Sequence, residues 1–393
     1  MFLADVSITY DKAAKKVTRV EGHNVPAKEI AAECAGTPDA EVAGIVAAAV
    51  DSSVEEGNKV VATIDNSFYR GSDKDAGPGT NRGTESTLNN LLAEAGFWGI
   101  RETTKLGPDF GIMNAGGVRE DLEKGEVTFS DAYLVQPFNN AYGVVDIKGE
   151  QVRELLEQQW KDPNSEHPRL ALGLSNNVQY SYDPTAEQGK RITAIYIDGK
   201  PVDPAATYRV AGSSFLLSGG DGFSALKSGS NFTDAGVIDV DLFTRYLAEH
   251  TGVEPRTNQA SVGISIKGEA RPGNEVELDL SSLSYTSAGE PQAKDVTVTA
   301  GGESVTAEVD NTVVTDFDET GSATVSLRIP SDATELKIET DNGTTFTVPL
   351  DEQVSGSSSF GKFAGIAAVL AVLGGAFAFW YANVGSQLLA QFL

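Results

Sequence analysis

Asn114, Gly116, Gly117 and Arg119 stand within a run of six residues, a combination that could hold an anion. Paired glycines let backbone N–H groups approach a ligand closely. An arginine three residues after the first glycine offers a planar five-donor fork matched to phosphate or carboxylate. The stretch 114–121 follows an apolar run, Phe110, Gly111, Ile112 and Met113, that predicts a buried strand, so these groups fall at a strand end. A turn with a surface arginine accounts for the same residues, because short glycine-rich motifs are unspecific. Two further stretches carry ligand chemistry. In 136–140, Phe138 stands between Pro137 and the amides Asn139 and Asn140; in 215–223, Phe215 precedes Asp221, a carboxylate flanked by Gly220 and Gly222. Core packing would equally explain the two phenylalanines, and a turn would explain Asp221.

These groups need elements to position them. A strand is expected at 59–64 and a helix at 84–98 with Leu88, Leu91, Leu92 and Ala95 at helical spacing. Between them runs the polar loop 71–83, which contains Arg82, a residue that a solvated loop also explains. Ser130 is expected to cap a short helix reaching about Gln136, followed by a strand at 141–147 and an amphipathic helix at 149–160. Asp198-Gly199 predicts a hairpin turn within 192–202, and 239–252 contains a last helix. Mixed strands with helices laid on them make an α+β pattern. Upstream, 6–10 and 17–20 read as two short strands around a turn, and Asp39 is placed to cap a packed helix carrying Val42, Ile45, Val46 and Val50 on one face.

From about Gly273 helical periodicity gives way to period-two alternation, as in Val276, Leu278, Leu280 and Val296, Val298. This predicts an all-β immunoglobulin-like sandwich over 273–350 without the cysteine pair, acting as a spacer or contact surface. A Gly/Ser linker is drawn at 351–361. Residues 363–382 then carry no charge, and twenty helical residues span roughly 30 Å, so a transmembrane anchor is expected at 362–384. Fifty-six acidic residues against thirty basic ones give a formal net charge of −26, which argues against binding polymeric nucleic acid. An anionic ligand must therefore be drawn in by local arginines or a metal. The single cysteine, Cys34, can form no internal disulfide.

Taken together, the three stretches around Asn114, Phe138 and Phe215 resemble the C-terminal, substrate-binding domain of the 5′-nucleotidases. Their order and spacing match, as do the segments 142–152, 173–175 and 180–183 between them. The domain is drawn at 59–268. The resemblance implies that Phe138 and Phe215 sandwich a nucleobase, that Asn114 hydrogen-bonds the ligand within the Gly116-Gly117 turn, that Arg119 and Arg82 meet phosphate, and that Asp221 accepts from ribose hydroxyls. Ala115 and Val118 replace commoner family choices, and Ser214 stands where an asparagine often precedes the aromatic.

The resemblance also sets an expectation of what this chain lacks. Residues 1–24 look like the last piece of the family's metallophosphatase domain, and 25–58 like the helical linker that follows it. The family's catalytic half holds two divalent metals, yet His23, His167 and His250 are widely separated and in no ligand spacing. No catalytic or metal residue and no cofactor is therefore assigned to this chain, and it is expected to be inactive alone. Expected partners are nucleoside 5′-phosphates or nucleosides, a separate metallophosphatase chain, and a cell membrane with the soluble domains outside. The competing expectation is a non-catalytic, membrane-tethered interaction module.

Overall fold

The computed structural model describes residues 2–33, 39–313 and 320–350, which divide between two units, Met1–Asn58 and Lys59–Leu393. The expected linker at 351–361 and the anchor at 362–384 lie outside the described residues. Among the described residues no helix is long and apolar enough to cross a membrane.

In the first unit, Phe2–Asp11 pairs antiparallel with Lys16–Pro26, longer than the alternation alone predicts. Asp11 closes the turn by accepting from Ala13 and Ala14 N–H at 2.8 and 2.9 Å, and Lys15 takes φ 50° to complete it. Pairing puts Phe2, Val6, Ile8 and Val20 on one face, and all four are exposed. The helix Ala40–Gly57 starts where expected, with Asp39 accepting from the N–H groups of Glu41 and Val42. Its apolar row is not packed, as the spacing suggested, but exposed at Val42, Ile45, Val46 and Val50. A hairpin and helices of this length enclose too little space for a core of their own.

The second unit is built on a five-stranded mixed sheet in the order Ser230–Ile238, Ala141–Lys148, Thr207–Ser213, Phe110–Asn114, Leu172–Leu174. Only the pair Phe110–Asn114 and Thr207–Ser213 is parallel. Alternate residues of Phe110–Asn114 serve opposite faces. Phe110 and Ile112 join Val152, Leu155 and Leu156 of helix Gly149–Glu157, while Met113 joins Leu88, Leu91 and Leu92 of helix Thr87–Thr103 and Phe243 of helix Asp239–Glu249. Helix Thr87–Thr103 rests directly on backbone. A Cβ at Gly173 would sit 2.2 Å from the Asn89 carbonyl oxygen, so only glycine permits that approach. Ser86 caps this helix. The next helix, Phe129–Val135, is capped by Thr128 rather than Ser130, because Thr128 and Asp131 exchange bonds in a capping box that Ser130 cannot form.

The period-two region forms antiparallel strands, but it extends the preceding architecture. Ser261–Lys267 pairs with Glu275–Ser281, continuing a six-stranded sheet that runs from Lys200–Pro201 to Ala323–Arg328. A four-stranded sheet, Glu303–Glu308, Asp295–Ala300, Glu335–Thr340, Thr345–Pro349, shares one core with it, and Leu278, Val296, Leu336, Ile338 and Phe346 all belong to that core.

Candidate functional site

Strand Phe110–Asn114 ends in a tight helical turn over Ala115–Gly117, which leaves the buried Asn114 at the sheet's edge. Its Nδ2 donates to Asp221 Oδ2 at 2.7 Å. Asp221 sits in the turn Gly220–Gly222 with φ 53°, between Gly219 at 92° and Gly222 at 77°. Those three left-handed positions aim the carboxylate back at the strand end. Gly116 marks where the groups converge. A Cβ placed on it would lie 3.5 Å from Asp221 Oδ2, 3.6 Å from Arg82 Nη1 and 3.7 Å from Asn114 Nδ2. Arg119 closes the turn, its Nη1 donating to the Gly116 carbonyl at 3.4 Å. Gly117 has no room for a side chain, since a Cβ there would be 2.8 Å from Asn114 Oδ1.

Arg82 and Arg119 also line a cavity of about 160 Å³ together with Arg70, Asn81, Ser86 and Asn89. Arg70 is neutralised by Asp121, whose carboxylate takes its Nε at 3.0 Å and its Nη2 at 3.1 Å. Among the described residues Arg82 and Arg119 have no such ion pair. The Asn81 Nδ2 is buried without a hydrogen-bond partner. Two unpaired guanidinium groups and a spare amide donor around one cavity suit an anion, in a chain whose net charge is strongly negative.

Phe215 and Phe138 stand apart from this polar cluster. Phe215, on the short helix Ser214–Leu217, is 45% exposed, and its ring lies so close to Gly220 that a Cβ there would be 2.5 Å from a ring carbon. Phe138 follows helix Phe129–Val135 and is 51% exposed, before Asn139 at φ 51°. Core packing therefore explains neither ring. Among the described residues no ring contact joins the two.

Residues 39–228 match the family model described as the 5′-nucleotidase C-terminal domain. The chain carries a 5′-nucleotidase C-terminal domain. Protein UshA of Salmonella pullorum is 33% identical over 155 residues, 39% of this chain and 26% of that protein. The trifunctional nucleotide phosphoesterase protein YfkN of Bacillus subtilis is 32% identical over 171 residues, 42% of this chain and 11% of that one. The 5′-nucleotidase precursor from Thermus thermophilus superposes with a TM-score of 0.48 at 25% identity, covering 66% of this chain and 49% of that chain. The matched stretch thus spans about a quarter or less of the first two relatives' length.

The 5′-nucleotidase C-terminal domain has one further charged group that no sequence pattern revealed. Lys161 Nζ lies 3.9 Å from the centroid of the buried Phe223 ring, without a hydrogen-bond partner. Burial lowers its pKa to about 8, and the nearby Asp221 charge opposes that shift. Sixty positions separate the two residues, and only the fold brings them together. Two of the three histidines are used elsewhere: His250 stacks on Tyr246 at 4.0 Å, and His23 faces Asp5 across the hairpin at 3.9 Å. Among the described residues no group of three His, Cys, Asp or Glu side chains could hold a metal ion.

Proposed function

We propose that this domain binds a nucleoside 5′-phosphate as the substrate-binding half of a cell-surface 5′-nucleotidase, whose reaction yields nucleoside and phosphate. The observation that carries this reading is the convergence of Asn114, Asp221 and Arg82 on Gly116, beside the cavity shared by Arg82 and Arg119. The phosphate sits between the two guanidinium groups, ribose hydroxyls donate to Asp221, and Asn114 orients that carboxylate. Phe138 and Phe215 close over the base, with stacking worth roughly 1–3 kcal/mol per base and tolerant of base identity. Broad nucleotide specificity follows.

The divalent metals that the family's hydrolysis requires do not fit the described residues, so no bond-breaking step is assigned to them. That chemistry belongs to a metallophosphatase half, on this protein or on a separate chain. The exposed apolar face of hairpin Phe2–Pro26 supports such a partner, since exposed apolar strands call for a cover. The uncharged segment 363–382 tethers the assembly to the membrane, with the soluble domains outside. Residues 273–350 belong with the soluble part as an immunoglobulin-like module.

Calorimetric titration of the full chain with 5′-AMP and adenosine tests the reading. Phe215→Ala is expected to weaken both ligands by about tenfold or more, and Arg119→Ala to weaken 5′-AMP selectively. A folded wild-type chain that binds neither ligand would favour the interaction-module reading.

A further inference from the structure

The loop 284–290 belongs to the C-terminal β region, yet its polar groups are spent on the segment that lines the anion cavity. Thr286 Oγ1 accepts from Ser72 N–H at 2.9 Å and lies 3.4 Å from Thr84 Oγ1. Ser287 Oγ donates its proton to the Arg70 carbonyl and so accepts from Ser72 Oγ at 2.5 Å. Glu290 reaches the start of helix Thr87–Thr103, where Oε1 accepts from Thr87 N–H at 3.0 Å and from its hydroxyl at 2.8 Å. Its other oxygen takes Ser287 N–H at 3.0 Å, so the loop braces itself while it caps the helix. Ser72, Thr84, Thr87, Thr286, Ser287 and Glu290 are all buried.

On the cavity side of the same segment stand Arg70, Gly71, Asn81, Arg82, Thr84 and Ser86. The segment is folded tightly on itself, with Gly79 and Asn81 N–H both donating to the Gly71 carbonyl at 2.9 and 3.1 Å. A Cβ at Gly71 would meet Thr84 Oγ1 at 2.4 Å. Fixing Ser72 and Thr84 from behind therefore fixes Asn81 and Arg82, which lie between them in the chain. A guanidinium must be held within a few tenths of an ångström to serve an anion well, and buried hydrogen bonds supply that stiffness.

We propose that Thr286, Ser287 and Glu290 are positioning residues for phosphate recognition, setting the place of Arg82 and Asn81 from a loop outside the matched family region. This rests on the nucleotide reading above. The β region then acts as the back wall of the phosphate subsite and not merely as a spacer. Among the described residues no hydrogen bond joins the loop to Phe138, Phe215 or Asp221, so its influence is confined to the phosphate end of the ligand.

Titrate the full-length chain and the double variant Thr286→Val/Ser287→Ala with 5′-AMP and with adenosine, checking folding by thermal unfolding. The expected result is a rise of about tenfold in the 5′-AMP Kd, the cost of losing one to two buried hydrogen bonds, with the adenosine Kd unchanged and Thr286→Ser retaining wild-type binding. Should the double variant not fold, Thr286→Val alone carries the same expectation. Equal weakening of both ligands, or no change in a folded variant, overturns the positioning role while leaving the nucleotide reading intact. A wild-type chain that binds neither ligand, or binds them equally, overturns the positioning role too; only the first of these also removes the nucleotide reading.

Discussion

The hairpin Phe2–Asp11/Lys16–Pro26 and the sheet around Asp295–Ala300 follow the same sequence rule and end in opposite situations. Both are antiparallel ladders with apolar residues collected on one face. Val298 is fully buried, whereas Ile8 keeps 62% of its surface in solvent. Alternation fixes a ladder and names its apolar face, but it says nothing of what covers that face. For Val298 the cover is a second sheet of the same chain, bearing Val276, Leu278 and Leu280. For Ile8 no buried residue among the described residues of its own unit supplies one. Exposed apolar ladders of this kind are rarely left open in a working protein.

The largest expected effect would break this comparison most directly. Phe346→Ala removes a ring from the shared core and should cost about 3–5 kcal/mol, read from urea unfolding of the full chain. Ile8→Ala should stay within about 0.5 kcal/mol, as at other exposed positions. A loss of about 2 kcal/mol or more at Ile8 would show that its face is covered in the native protein, and the two ladders would then differ only in which chain segment provides the cover.

A second expectation concerns how the C-terminal region is bolted to helix Thr87–Thr103. Burial outweighs the donors from Thr87 and Ser287 and pushes the Glu290 carboxyl up to about 7, with Asp121 adding to the rise. The folded pKa lies above the unfolded value of 4.5, so the folded state holds the extra proton. The contribution is complete below pH 4.5 and is lost as pH rises through about 7. It amounts to roughly 3 kcal/mol. Stability of the wild type minus that of Glu290→Gln, followed by urea unfolding from about pH 4.5 to 8, should therefore fall by that amount. A flat difference would mean that the hydrogen bonds from Thr87 and Ser287 fully offset the burial and leave the Glu290 carboxyl unshifted.

Local signals were legible and long-range ones were not. The caps at Asp39, the turn Asp198-Gly199 with φ 52° and 69°, and the strand Phe110–Asn114 ending in a glycine turn all follow from neighbouring residues. The same is true of the meeting of Asn114 and Arg119 at Gly116. That Asp221 joins them required the family resemblance, because 107 positions separate it from Asn114. Lys161 over the Phe223 ring, and the loop 284–290 behind the anion cavity, had no sequence signature at all. Ser, Thr and Glu in a loop look alike whether they meet water or a buried backbone. The helix cap moved from Ser130 to Thr128 for a related reason: two nearby residues both suit the position, and only the reciprocal bond with Asp131 decides.

The smallest expectation returns to the first unit and sharpens what its exposure means. Asp39 satisfies two of the orphan N–H groups of helix Ala40–Gly57, and Asp39→Ala should cost about 1 kcal/mol. In a helix held by core packing such a loss would be shared with the whole cooperative unit. Here no residue of the helix is buried, so the loss is expected in the first turn, as faster hydrogen exchange at the amides of residues 43–46. Amides of the strand Asp295–Ala300 should exchange as in the wild type. If protection fell equally in both places, the helix would be coupled to the global unfolding reaction, and its apolar row of Val42, Ile45, Val46 and Val50 would have to be covered in solution after all. Adding a separate metallophosphatase chain would then be expected to change exchange in Phe2–Asp11 alone. If the helix is instead uncoupled, the same addition should protect both the hairpin and the helix, because both present apolar faces that a partner could bury.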